Sequence, residues 1–309
     1  MKKILKIITV CLVVLTFVLF TAEVFVWRIE NQELQKDINF NDSVKEVGFH
    51  SGIKKINYEF ENLGLKNGWG RTPEGLVYKR KKPIVLFGCS YAYGYGLSPK
   101  QTFAHKLSVR SRRSVYNRSF TSFSLQHFLA QAKSKALYEK IPQPEYVIYV
   151  YMHDHLRRLY LYSFAQWNIL NEEFDLRYKE KNGELEEITN SNFLLNQIKR
   201  LYIANMLYHW YVEKAVINNP KQSYDFALKH FIAAKNEMSK HWKKSKFAVL
   251  IYDDFELCSD FKAQLEQNGF KVVDVRGLAD NSKYMLKSNT PNEDAWNKIV
   301  PKVIKELKL

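Results

Sequence analysis

Four apolar residues, Ile84 to Phe87, stop abruptly at Gly88, and longer runs of the same kind recur at Tyr146–Tyr151 and Phe247–Tyr252. Such near-continuous apolar runs are what strands buried on both faces of a parallel sheet require. The shorter runs Val115-Tyr116-Asn117 and Lys271-Val272-Val273-Asp274-Val275 read as further strands. Between them lie helical signals. Thr102 caps a short helix through Leu107, Leu125 to Leu137 is a second candidate, and Phe255 to Gln267 is a third, stopped by Gly269. Thr290-Pro291-Asn292-Glu293 reads as a capping box with Thr290 as the cap. The helix it opens is lined by Trp296, Ile299, Val300, Val303, Ile304 and Leu307, with a kink expected at Pro301. Alternating strands and helices of this kind predict an α/β fold, a mostly parallel sheet with helices on both faces.

From Leu159 to Lys246 the rhythm changes. Phe193, Leu194, Ile198, Leu201, Tyr202, Asn205 and Tyr208 fall at helical spacing, as do Phe231, Ala234, Met238 and Trp242. These stripes suit core or lid packing, and the stretch Asn171 to Asn190, rich in Glu and Lys, suits a solvated excursion. Residues of about 160–245 are therefore expected to form a helical insertion in a domain over 83–309. The first 30 residues differ in kind. Lys2, Lys3 and Lys6 precede an apolar run from Ile7 to Ala22, and Val24-Phe25-Val26-Trp27 extends it past Glu23. That is about a bilayer's width, with lysines on one side and a tryptophan at the far interface. It predicts a single-pass signal anchor and transmembrane helix with an extracytoplasmic C-terminal domain, a cleaved signal peptide being the alternative. Residues 31–82, polar and punctuated by glycines, read as a stalk and loop-rich lead-in.

Composition narrows the partners. Hydrophobic residues at 46% and aromatics at 15% of 309 residues exclude a disordered chain. The net charge of +15 raises nucleic acid as a partner, but the 47 Lys and Arg are scattered, without zinc spacing or a helix-turn-helix signature. An anionic membrane surface or an acidic glycan fits better. Three cysteines, Cys11, Cys89 and Cys258, support no disulfide framework, although a Cys89–Cys258 bridge stays open beside the reading as two buried small side chains. The sequence calls for no cofactor and no metal.

The chemistry gathers at Gly88-Cys89-Ser90, where a glycine-bounded turn lifts a serine from the carboxyl end of a strand. Phe87-Gly88-Cys89-Ser90-Tyr91, Tyr93-Gly94-Tyr95-Gly96-Leu97 with Thr102-Phe103, and Asn117-Arg118-Ser119-Phe120-Thr121-Ser122-Phe123-Ser124 together resemble the first two blocks of the SGNH (GDSL-like) hydrolases. Tyr151-Met152-His153-Asp154 falls where their third block would lie, and Pro291 to Trp296 is similar to the segment after their last. The resemblance spans roughly residues 62–309. It implies a three-layer α/β/α sandwich in which Ser90 attacks an acyl or acetyl ester of a glycan or lipid, by hydrolysis or transfer. Ser90 and Ser122 would supply oxyanion-hole amides, with His153 in place of the family's asparagine. Gly88, Ser90, Asn117, Ser122 and His153 should converge at one edge of the sheet, with Asn117 and Arg157 as binding residues.

One departure decides the chemistry. Ser288 and Thr290 stand where the family carries its catalytic Asp and His, and a serine without a base is a weak nucleophile. His153 or His155 is then the candidate base, with Asp154 to orient it. The alternative is that Asp154, His155, Arg157 and Arg158 form a ligand-binding or structural cluster on a non-catalytic fold that binds a glycan or an envelope partner.

Overall fold

In the computed structural model, β1 (Ile84–Phe87) lies between β2 (Val115–Asn117) and β3 (Tyr146–Tyr151). Beyond β3 come β6 (Lys246–Ile251) and β7 (Phe270–Asp274), giving a five-stranded sheet of order β2-β1-β3-β6-β7. Every pairing is parallel. The described residues are 78, 81–120, 123–160, 178–187, 210–211, 214, 220–252, 259–279 and 281–309. Nearly all belong to one compact unit, 47–188 with 215–309; the other unit, 1–46 with 189–214, is described only at 210, 211 and 214. The predicted anchor over 1–30, the lead-in except Tyr78, Lys81 and Lys82, and the helical stripe from Phe193 to Tyr208 lie outside the described residues. Among the described residues no helix is long and apolar enough to cross a membrane.

Alternation along the strands sends side chains to two cores. On one face Ile84, Leu86, Ile148, Val150 and Leu250 pack with Phe103 and Leu107 of α2 (Phe103–Ser111) and with Trp296, Ile299 and Val303 of α8 (Glu293–Leu307). Phe103 stacks on Trp296 at 4.8 Å. On the other face Phe87, Tyr149 and Tyr151 meet Phe128 of α3 (Leu125–Lys133), Phe231 of α6 (Pro220–His241) and Phe261 of α7 (Ser259–Gln267). The expected three layers are present. The stripe Phe231, Ala234 and Met238 is fully buried on α6, so the end of the expected insertion is a core helix connecting β3 to β6 and not a lid.

Several boundaries differ from expectation for physical reasons. The helix from Leu125 breaks at Ser134, and a separate α4 (Lys135–Lys140) follows. The excursion at 171–190 contains a hairpin, β4 (Tyr178–Lys181) and β5 (Glu184–Glu187), turned by Asn182 and Gly183 with φ of 55° and 83°. Two positive φ values are what a type I′ turn needs, and Asn-Gly supplies them. α8 contains the exposed Pro301, as expected from the sequence. The proline cannot donate to the Asn297 carbonyl one turn back, and Arg110 Nη1 supplies that bond at 3.3 Å. The cap of α8 is Asn292, whose side chain accepts from Ala295 N–H, and not Thr290.

Candidate functional site

Because all five strands are parallel, β1, β2 and β3 end at one edge, with Leu86 level with Asn117 and Phe87 with Tyr149. The chain goes from β1 to β2 on one side and then to β3 on the other, so the strand order reverses across β1 and β3. Such switch points open a crevice at the carboxyl ends of the strands. Ser90 follows β1 and His153 follows β3, so the sheet brings Ser90, Asn117 and His153 to this edge.

Gly88 makes the first turn possible. Its φ is +147°, and a Cβ there would lie 3.0 Å from the Val150 carbonyl oxygen and 3.1 Å from the Ala92 Cβ. Only glycine combines that backbone with that clearance. The chain then enters α1 (Ser90–Tyr93) with Ser90 half-buried as its first residue. The opening amides of a helix have no intrahelical acceptor, and the Ser90 N–H is the first of them here. Gly94, left-handed at φ 80°, closes the turn by donating to the Ser90 carbonyl at 2.9 Å. Behind Ser90, Cys89 is fully buried, and burial raises its thiol pKa against the lowering influence of Arg158 and of the Tyr91 and Ser90 donors. It is a free thiol, 3.2 Å from Met152 Sδ, and Cys258 lies outside the described residues.

Asn117 sits at the end of β2 with no exposure. Its amide donates to the Ala92 carbonyl at 2.8 Å and its oxygen accepts from Ser119 N–H at 3.1 Å. Those bonds fix α1 against β2, so Asn117 positions the Ser90 turn from within the fold. Ser122, the second expected oxyanion donor, lies outside the described residues.

At the end of β3 the three candidates separate. His153 is half-buried, with Nδ1 3.4 Å from the Tyr224 hydroxyl of α6, and burial lowers its pKa. Asp154 opens α5 (Asp154–Tyr160), with Oδ1 bound by Arg157 at 2.6 Å and Oδ2 by Arg158 at 2.5 Å. Burial opposes its ionisation, but the two arginines outweigh that and hold the carboxyl below its ordinary range. With both oxygens engaged, Asp154 anchors arginines where it was expected to orient an imidazole. His155 is fully buried; its Nδ1 meets the Tyr149 hydroxyl at 3.1 Å and its Nε2 has no protein partner. Burial and then Arg158 keep it neutral, far below the usual imidazole range. It packs into the Tyr149 layer, which removes it as the base for Ser90. Residues two apart at a helix start point to opposite sides, so His153 and His155 cannot both serve the edge.

Ser288 and Thr290 do reach the Ser90 turn. Thr290, 4% exposed, donates from Oγ1 to the Tyr95 carbonyl at 3.1 Å, and Ser288 Oγ lies 2.8 Å from that same Oγ1. A short bridge between Met285 and Pro291 and the bond from Leu286 N–H to the Thr290 carbonyl at 2.8 Å hold the segment in place. Among the described residues no imidazole hydrogen-bonds the Ser90 hydroxyl, and no group of three or more His, Cys, Asp or Glu is placed to hold a metal ion.

Sequence reasoning missed two contributors. Tyr224 precedes Phe231 by seven residues, a helical spacing that could have extended the stripe to it but carries no sign that it is the partner of His153. Arg158 appeared only as a member of a polar cluster. Its Nη1 also donates to the Phe123 carbonyl at 3.1 Å, a contact across 35 residues that no local pattern encodes.

No protein-family model and no curated protein matches the chain. Solved structures similar to it include a member of the lipolytic protein G-D-S-L family from Veillonella parvula DSM 2008, at 11% identity and TM-score 0.41, covering 72% of this chain and 96% of that one. TesA is similar at 13% identity and TM-score 0.42, over 74% of this chain and 98% of that one. A family two carbohydrate esterase from Clostridium thermocellum, solved with cellohexaose, is similar at 8% identity and TM-score 0.43, over 75% of this chain and 64% of that one. With values this low, the fold assignment rests on the strand order and the two cores described above.

Proposed function

We propose that this chain is a membrane-anchored, envelope-facing protein of SGNH hydrolase type that acts on acyl or acetyl esters of a glycan or lipid. The observation that carries the reading is the edge itself: a half-buried serine opens a helix after a parallel strand, beside the switch point, with the 288–290 segment docked on its turn. Ser90 Oγ attacks the acyl carbonyl and its proton passes to His153, which burial keeps neutral near pH 7 and able to accept it. The Ser90 N–H, with that of Ser122, donates to the oxyanion as it forms. The tetrahedral adduct then collapses, the ester's alcohol leaving with the proton from His153, and the acyl group passes from Ser90 to water or an acceptor hydroxyl whose proton returns to Ser90 through His153. A fluorophosphonate probe should label the folded chain, and Ser90→Ala should abolish labelling; a folded wild-type chain that never labels would end the catalytic reading.

A second reading has one observation in its favour. The Ser288 hydroxyl is bonded to that of Thr290, which donates to the Tyr95 carbonyl, and neither can accept a proton from Ser90 at neutral pH. On that reading the cleft binds a glycan or an envelope partner without turning it over. The anchor is supported by the apolar run after Lys6. A reporter fused after Leu309 that is active only outside the cytoplasm should be active; activity of a strictly cytoplasmic reporter there would overturn the orientation.

A further inference from the structure

We infer that Arg158 is a positioning residue that ties the loop after β2 to the turn after β3, fixing the two halves of the Ser90 site to each other. The inference rests on the reading of this edge as an acyl-ester site. Arg158 is on α5, four residues from Asp154, with its side chain 12% exposed. One guanidinium nitrogen holds Asp154 Oδ2 at 2.5 Å at the start of the same helix, directly after His153. The other donates to the Phe123 carbonyl at 3.1 Å, in the segment that leads from Asn117 to α3.

The two ends of this fork are otherwise far apart in sequence and belong to different crossovers. Phe123 is itself fixed, stacked on His127 at 4.4 Å and packed on Phe120 at 5.5 Å, so its carbonyl is a firm acceptor. Arginine suits the task because its planar fork makes two bonds in different directions at once and stays charged when buried. A lysine there can satisfy the carboxylate or the carbonyl, not both with the same geometry. Arg157 shares Asp154 but is 43% exposed on its side chain, so the buried tie falls to Arg158. A second bond, from Gln126 Nε2 to the Leu159 carbonyl at 2.9 Å, holds the same two elements further from the edge. It should keep α3 and α5 together when Arg158 changes, so the loss falls on the loops rather than on the fold.

The test is Arg158→Lys in the full chain, with Lys240→Gln, which removes an exposed ion pair on α6, as the control. Hydrogen exchange followed by mass spectrometry should show peptides covering 118–124 and 152–158 exchanging at least tenfold faster together, with β6 and α8 unchanged. Labelling of Ser90 by the fluorophosphonate should slow tenfold or more while the melting temperature stays near wild type. Faster exchange in 152–158 alone, or none in either segment, overturns the inference whatever the labelling does. If the wild-type chain does not label, the acyl-ester reading fails and the exchange result still decides the tie. Should Arg158→Lys not fold, Asp154→Asn with Arg158→Gln removes both buried charges and must give the same paired exchange.

Discussion

His127 and His230 make the stability of this fold depend on pH by an amount that follows from their surroundings. Both are buried, at 3% and 0% exposure. His127 Nδ1 accepts from Ser124 N–H at 3.1 Å, His230 Nδ1 lies 2.9 Å from the Phe226 carbonyl, and neither Nε2 has a protein partner. Burial, with a smaller push from Arg158, takes His127 down to about 3; burial takes His230 down to about 4 against the pull of the Phe226 carbonyl. In an unfolded chain an imidazole titrates near 6.5. Well above that pH both states are neutral and neither site alters stability. As pH falls through 6.5 the unfolded chain gains a proton at each site that the folded chain refuses, and stability is lost until the folded sites titrate as well. Between pH 7.5 and 5 the loss is about 2 kcal/mol for each histidine, or about 4 kcal/mol for the pair, against a typical domain stability of about 5–15 kcal/mol. His155, also lowered by burial and Arg158, acts in the same direction. Urea unfolding at closely spaced pH values reads the slope directly. His127→Asn and His230→Asn should each reduce it by about 1 kcal/mol per pH unit between pH 6 and 5. A slope that neither substitution changes would refute the reasoning.

Asn117→Ala should cost about 2–3 kcal/mol in denaturant unfolding, since it leaves the Ala92 carbonyl and the Ser119 N–H buried without their partner; a loss below about 0.5 kcal/mol would mean that the amide holds nothing. Asn292→Ala should cost about 1 kcal/mol and speed exchange of the Ala295 amide, whereas Thr290→Ala should leave that amide alone. The double change Ser288→Asp with Thr290→His should place an imidazole beside the Ser90 turn and raise esterase activity by roughly 30 to 800-fold, a gain that must vanish with Ser90→Ala. It should cost about 1–3 kcal/mol of stability, because an imidazole must fit where a 4%-exposed threonine now bonds Tyr95.

The parts of this fold that were legible in the sequence are those set by local pattern. Tyr146–Tyr151 is a strand at its predicted bounds, since a six-residue run of β-branched and aromatic side chains buried on both faces leaves no other outcome. Thr102 caps α2 as expected, accepting from His105 N–H at 3.3 Å. The hairpin at Asn182-Gly183 carried its turn signal and was hidden only by the surrounding charge. Thr290 and Asn292 are both good caps by type, and what separates them is non-local: the Thr290 hydroxyl is taken by a carbonyl 195 residues away. His155 was misplaced for a similar reason, because nothing in the sequence tells which of two histidines flanking an aspartate faces the core.

The two readings of Ser90 differ in where its proton goes, and the described groups at this edge narrow the answer. Asp154 has both oxygens bound by arginines and a carboxyl held below its ordinary range, so it does not take a proton at neutral pH. His155 is neutral but sits in the Tyr149 layer, and the Cys89 thiol is raised by burial and stays protonated. The hydroxyls of Ser288 and Thr290 accept no proton in water's ordinary pH range. His153 remains: neutral, half-buried, at the end of the strand that pairs with β1, and in contact through Nδ1 with Tyr224. Burial lowers the pKa of this ring most, the Asp154 carboxylate beside it pulls the other way, and Arg157 adds to the lowering. If His153 is the base, His153→Gln should slow fluorophosphonate labelling of Ser90, and labelling at the wild-type rate would remove that ring from the catalytic reading.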